Sequence, residues 1–153
     1  MPVDRDVLRT VGHELRLKHG SDVLSRRVLD AIAYDARQGL QPAVVIVDAI
    51  RNPAEVRALR ESLDTDFALV AVVAPEETIV ARLRSRARTG DVVDDADLAR
   101  RVLAAEMGLD EPEHGHNIAE CIAMADVRID NAGSLPELRA QVAAFVSERV
   151  RGR

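Results

Sequence analysis

The chain has 153 residues, 47% hydrophobic and 31% charged, the size and balance of one globular domain with a buried core. Its 21 basic residues stand against 26 acidic ones, for a formal net charge of -5, and Lys18 is the sole lysine. That acidic balance, with Tyr34, Phe67 and Phe145 as the only aromatics, argues against a general attraction for nucleic acid or anionic membranes and against stacking platforms for single strands.

The first forty residues read as two helices. Val7, Leu8, Val11 and Leu15 recur at helical spacing, then Val23, Leu24, Val28, Leu29 and Ile32 follow a break at Gly20-Ser21-Asp22. Residues 43–50, Ala-Val-Val-Ile-Val-Asp-Ala-Ile, form a β-branched run of the kind found in a strand buried on both faces. Asn52, Pro53 and Glu55 supply a cap, a first-turn proline and a capping-box glutamate, with Val56, Leu59 and Leu63 on one face. Residues 67–74 read as a second buried strand, so the middle of the chain is expected to be a parallel strand-helix-strand crossover.

A helix opening at Pro75-Glu76-Glu77 carries Arg82, Arg84, Arg86 and Arg88. Residues 94–107 read as another helix, 111–115 as a polar loop, 117–125 as a short helix and 126–130 as a short strand. Ser134 and Glu137 form a second capping box ahead of a final helix bearing Leu138, Val142, Phe145 and Val146. The expected architecture is α/β, one domain over 1–153, with a helical, lid-like region at about 76–107.

Ligands of open parallel sheets sit beyond the carboxyl ends of strands, which directs attention to Asp48 and Arg51. Asp48 either holds a Mg²⁺ through water or accepts loop N–H groups; Arg51 either clamps a phosphate or makes a surface ion pair. The arginine ladder is either a solvated helix face or a phosphate contact, with Arg82 and Arg86 sharing one side. His114-Gly115-His116 with Cys121 has loose metal-ligand spacing, without a fixed partner; a packed core thiol is the expectation for Cys121. A lone cysteine also excludes an internal disulfide and a cysteine-based zinc centre. Apolar runs are shorter than a membrane span and no basic-plus-apolar stretch precedes the first helix-like segment, so the expected location is the cytoplasm.

The segments around Asp48-Ala-Ile-Arg51-Asn-Pro-Ala-Glu55, Ala74-Pro75-Glu76-Glu77 through Arg82 and Arg86, and Ala125-Asp126 through Asn131 resemble the P-loop nucleoside and nucleotide kinase superfamily. The likeness spans roughly residues 5 to 146 and is nearest to the dephospho-CoA kinase and deoxynucleotide kinase-like branch. It implies a three-layer parallel sheet flanked by helices, here with the family's first strand and phosphate loop missing. It implies that Arg16 and Arg51 bind the phosphate of an acceptor nucleotide, that Asp48 is a catalytic, Mg²⁺-ordering carboxylate, and that Arg82 and Arg86 contact the donor, Arg86 with a catalytic part. Residues 87–95 would be the lid. ATP and Mg²⁺ are the implied cofactors, and a small-molecule nucleotide the implied partner. Because Lys18 is followed by His19, no Gly-Lys-Ser/Thr loop occurs, and weak or absent phosphoryl transfer by the chain alone is expected. The sheet position left open points to a homo-oligomer or a partner chain completing it, and to a non-enzymatic interaction module as the alternative function.

Overall fold

In a computed structural model that describes residues 5–85, 95–108 and 111–151, the chain divides into two compact units. The first comprises Met1–Ala68 and Arg101–Met124, the second Leu69–Arg100 and Ala125–Arg153.

The first unit is helical. Helices α1 (Arg5–His19) and α2 (Val23–Arg37) form the expected pair, separated by Gly20, whose positive φ of 97° allows its N–H to reach back to the Arg16 carbonyl at 2.9 Å. Helix α3 (Pro53–Leu63) packs on α2 and on the short helix α6 (Ile118–Ala123). Its apolar side chains Val56 and Leu59 are fully buried, each contributing about 1.5–3 kcal/mol of hydrophobic stabilisation. Cys121 on α6 is buried, as its apolar neighbours in the sequence suggested. Val7, Leu8 and Val11, the apolar positions read at helical spacing on α1, are about half exposed.

The second unit is built on a parallel pair, β1 (Val70–Val73) and β2 (Val127–Asp130), in register Val70 with Val127 through Val73 with Asp130. Asp126 anchors the entrance, its backbone N–H donating to the Leu69 carbonyl while its carboxylate accepts the Leu69 N–H at 2.8 Å. Helices α4 (Glu76–Ser85) and α7 (Leu135–Arg151) belong to this unit, and α7 packs against β2. Ser134 and Glu137 make the expected box at the start of α7, where the Ser134 N–H and hydroxyl hold the Glu137 carboxyl below its usual range. Helix α5 (Ala96–Met107) falls partly in each unit.

The α/β class and the parallel sheet are as expected; the crossover is not. Residues 43–50 form no strand, and β1 pairs with β2 rather than with them. The apolar run lacks a ladder partner among the described residues, and Val44, Val45 and Ile46 are exposed, Ile46 by 87%. β-branched composition favours an extended chain, but a strand also needs a neighbour to take its backbone hydrogen bonds. Both outer edges of the two-stranded sheet are unpaired among the described residues.

Candidate functional site

In the first unit one buried carboxylate joins two of the positions proposed from sequence, the side chain of Arg16 and the backbone of Arg51; Asp48 and Arg82 lie apart from it. Glu55 is 2% exposed and lies in the first turn of α3. Its Oε1 accepts from Arg16 Nε at 3.1 Å and forms an ion pair with Arg16 Nη2 at the same distance; its Oε2 accepts the backbone N–H groups of Arg51 at 3.0 Å and Asn52 at 3.2 Å. Arg16 and the Arg51 backbone are thus joined through one residue, although 35 positions separate them in the sequence.

Arg16, near the end of α1, is 2% exposed and held entirely within this pairing. Burying an isolated guanidinium is costly, so Arg16 and Glu55 require each other. Arg51 is about one-third exposed at its side chain. Its Nη1 donates to Glu106 on α5, and its carbonyl accepts the Asn117 N–H at 2.7 Å. Asn52, 2% exposed, caps α3 by accepting the Ala54 N–H at 2.9 Å and donates through Nδ2 to the carbonyls of Glu113 and Gly115, each at 3.0 Å. The loop 111–117 is therefore tied to residues 51 and 52. Arg9 on α1 secures the same loop by pairing with Glu111, and Ser21 by its contact with His114 Nδ1 at 2.9 Å.

Asp48 is exposed, and its Oδ1 accepts the Ala49 N–H at 2.7 Å. Ala49 has a φ of 65°, a left-handed backbone that costs a non-glycine residue free energy and that often accompanies functional loops. Asp48 also borders an open apolar cavity of about 590 Å³ lined by Val28, Ile32, Leu40, Pro42 and Val45. Arg82 lies in the second unit on α4, exposed, with Nη1 donating to the Asn131 carbonyl at 2.7 Å. Arg86 and nearly all of the expected lid, residues 86–94, lie outside the described residues.

Among the described residues no group of three side chains is placed to hold a metal ion, and no helix is long and apolar enough to cross a membrane. His114 and His116 take separate partners, Ser21 and Glu106. The Cys121 thiol is pushed up to about 11 by burial, reinforced by the Glu55 and Glu120 carboxylates. At pH 8 it should therefore carry about 100-fold less thiolate than an unperturbed cysteine. Native protein is expected to resist a disulfide reagent at that pH and to release its one thiol on denaturation; rapid titration of the folded chain would contradict the burial.

A UPF0200 protein of Methanothrix thermoacetophila is 33% identical over 141 residues, covering 92% of this chain and 70% of that protein. One from Methanoregula boonei is 30% identical over 146 residues, covering 95% and 72%. The chain belongs to the UPF0200 family. A UPF0200/UPF0201 protein of Archaeoglobus fulgidus is 32% identical over 127 residues, and there the match spans 36% of the relative's length. No family model and no solved structure matches the chain.

In this UPF0200 chain the residues that sequence reasoning passed over are the ones that do the joining. Glu55 was legible only as a cap, Glu106 not at all, and His116 only as part of a loose metal-like spacing. Each acts through a partner distant in sequence, and the local pattern around it carries no trace of that partner.

Proposed function

We propose that this UPF0200 chain binds a nucleoside monophosphate or a related phosphorylated acceptor, as a nucleotide kinase-like domain with weak or no phosphoryl transfer of its own. The observation that supports this most is the joining of Arg16 and Arg51 through Glu55. The Arg16 side chain and the Arg51 backbone meet on one carboxylate, while the Arg51 guanidinium points elsewhere, to Glu106. Arg51 presents to the ligand, because its Nε and Nη2 have no hydrogen-bond partner among the described residues. Arg16 acts behind it, holding Glu55 and through Glu55 the Arg51 backbone. A guanidinium fixed in this way recognises a phosphate through a planar pair of N–H donors.

The kinase likeness extends the proposal to a P-loop-kinase-like sheet, with Arg82 and Arg86 as donor-side contacts and ATP with Mg²⁺ as cofactors. Mg²⁺ at nucleotide sites keeps several waters and phosphate oxygens and asks little of the protein, so a single exposed carboxylate such as Asp48 is a fitting donor. ATP with Mg²⁺ would supply the transferable phosphoryl group and neutralise part of its charge. The chain's own contribution is alignment of the acceptor. With one lysine, and that lysine in Leu17-Lys18-His19, the cradle that normally grips the donor phosphates has no counterpart here.

Calorimetric titration with nucleoside monophosphates and dephospho-CoA tests the proposal. Saturable heat is expected with at least one of them, and Arg51→Ala should weaken it by about 10-fold or more, the worth of one charge-assisted pair. Absence of heat with all of them at millimolar concentration overturns it.

A second reading, a non-enzymatic interaction module, is favoured by the concentration of exposed apolar side chains in the first 46 residues, from Val7 to Ile46. Exposed apolar side chains, where they adjoin, form the kind of surface that binds partners. Sedimentation separates the two: a strictly monomeric chain at high concentration removes the basis of this alternative, whereas self-association without nucleotide binding favours it.

A further inference from the structure

We propose that His116 is the second prong of the anion site at Arg51, and that it takes up a proton when a phosphate binds there. This rests on the assignment of Arg51 as a phosphate contact and adds to it a residue and a proton.

The geometry begins at Glu106. Its Oε2 accepts from Arg51 Nη1 and from His116 Nδ1, the latter at 3.1 Å. Two donors on one oxygen lie within about 6 Å of each other, so the guanidinium and the imidazole are neighbours by construction. Their backbones are fastened as well. The Arg51 carbonyl holds the Asn117 N–H, and the Asn52 side chain holds the Gly115 carbonyl, immediately on either side of His116. His116 is only 8% exposed, so its orientation is set by packing and not by solvent.

Each prong keeps a free donor position. Arg51 has Nε and Nη2 unengaged, and His116 Nε2 makes no hydrogen bond among the described residues. No fully buried side-chain nitrogen or oxygen is left without a partner among them. An imidazole whose Nδ1–H points to a carboxylate presents a lone pair at Nε2 in its neutral form. A lone pair repels a phosphate oxygen. Binding a phosphate dianion across Arg51 and His116 therefore requires one proton at Nε2, taken from solvent, after which the imidazolium donates to the phosphate. Glu106 then stabilises the imidazolium from the opposite side.

Among the described residues, the charged and titratable groups joined to His116 are Glu106 from α5 and, through Glu106, Arg51; His114, Glu111 and Glu113 share its loop. Glu111 is neutralised by Arg9, and the Glu55–Arg16 pair lies one bond behind the Arg51 backbone. The sign follows. Binding that draws in a proton strengthens as pH falls. The gain ends where the phosphate itself takes a proton, below about pH 6 for a phosphomonoester such as the nucleotide and at a higher pH for inorganic phosphate.

The test titrates the full chain with inorganic phosphate and with adenosine monophosphate at about pH 8 and pH 6.5, in two buffers of different ionisation heat. Uptake of close to one proton per ligand is expected near pH 8 for both ligands if the site reads phosphate alone, and for the nucleotide only if it reads the nucleotide. His116→Gln should abolish the uptake, weaken binding about 10-fold near pH 6.5 and change it far less near pH 8, where wild type must first gain its proton. No uptake by the wild-type chain overturns the proposal without recourse to any variant, as does uptake that persists in His116→Gln or in His116→Asn. Arg51→Ala makes the two failures distinct. Unchanged binding in that variant removes the Arg51 assignment itself, whereas lost binding there, with normal affinity and uptake in His116→Gln, removes only the role of His116.

Discussion

Glu55→Ala is expected to lower the stability of the chain by about 3–5 kcal/mol, the cost of leaving a buried charge without its partner. Three hydrogen bonds and an ion pair end on this carboxylate, the bonds coming from Arg16 Nε and from the backbone N–H groups of Arg51 and Asn52. With the carboxylate gone, Arg16 retains a positive charge at a side chain only 3% exposed, and neither the alanine methyl nor bulk water can satisfy it. Against a typical total of roughly 5–15 kcal/mol, such a loss is large enough to leave a sizeable unfolded fraction. Glu55→Gln keeps the shape and one acceptor for the capping box but removes the charge, so an intermediate loss is expected. Urea denaturation measures both. A midpoint for Glu55→Ala within about 1 kcal/mol of wild type would show that Arg16 finds water or another anion.

Asn52→Ala should follow at about 2–4 kcal/mol, combining a lost cap with two unsatisfied carbonyls. Its Oδ1 serves α3, while its Nδ2 serves Glu113 and Gly115 across a sequence gap of more than 60 residues. The informative variant is Asn52→Asp. Aspartate caps a helix as well as asparagine does, yet it turns two N–H donors into an oxygen facing two carbonyls. If capping is all that matters, Asn52→Asp melts with wild type; the structure requires it to fall near Asn52→Ala. Thermal unfolding followed by circular dichroism decides between these outcomes.

The contrast between these two residues shows how far the sequence could be read. Asn52-Pro53-Ala54-Glu55 announces a helix start because every partner lies within three residues, and the cap is found as read. The two strands of the parallel pair were also legible, since β-branched runs bounded by polar residues occur at both places. Residues 43–50 carry the same composition and form no strand. Composition reports what a segment will do when a neighbour is offered, and says nothing about the offer. In the same way, Arg16 looks like any basic residue in a last helical turn until Glu55 is folded against it, and His116 gains meaning only through Glu106 on a separate helix.

The exposed run at residues 43–47 has a consequence for any work on Asp48. Ala-Val-Val-Ile-Val is uncharged, free of glycine and rich in β-branched side chains, the makeup of a segment that stacks into cross-β fibrils when left uncovered. Pro42 stands at one end and Asp48 at the other, the breaker and the charge that commonly guard such stretches. Asp48 is therefore placed to guard this segment as well as in the proposed site. Removing its charge withdraws one of the two guards, and a variant that loses ligand binding through precipitation would mimic one that loses the metal contact proposed for Asp48. Asp48→Glu, which moves the carboxylate while keeping its charge, separates these effects.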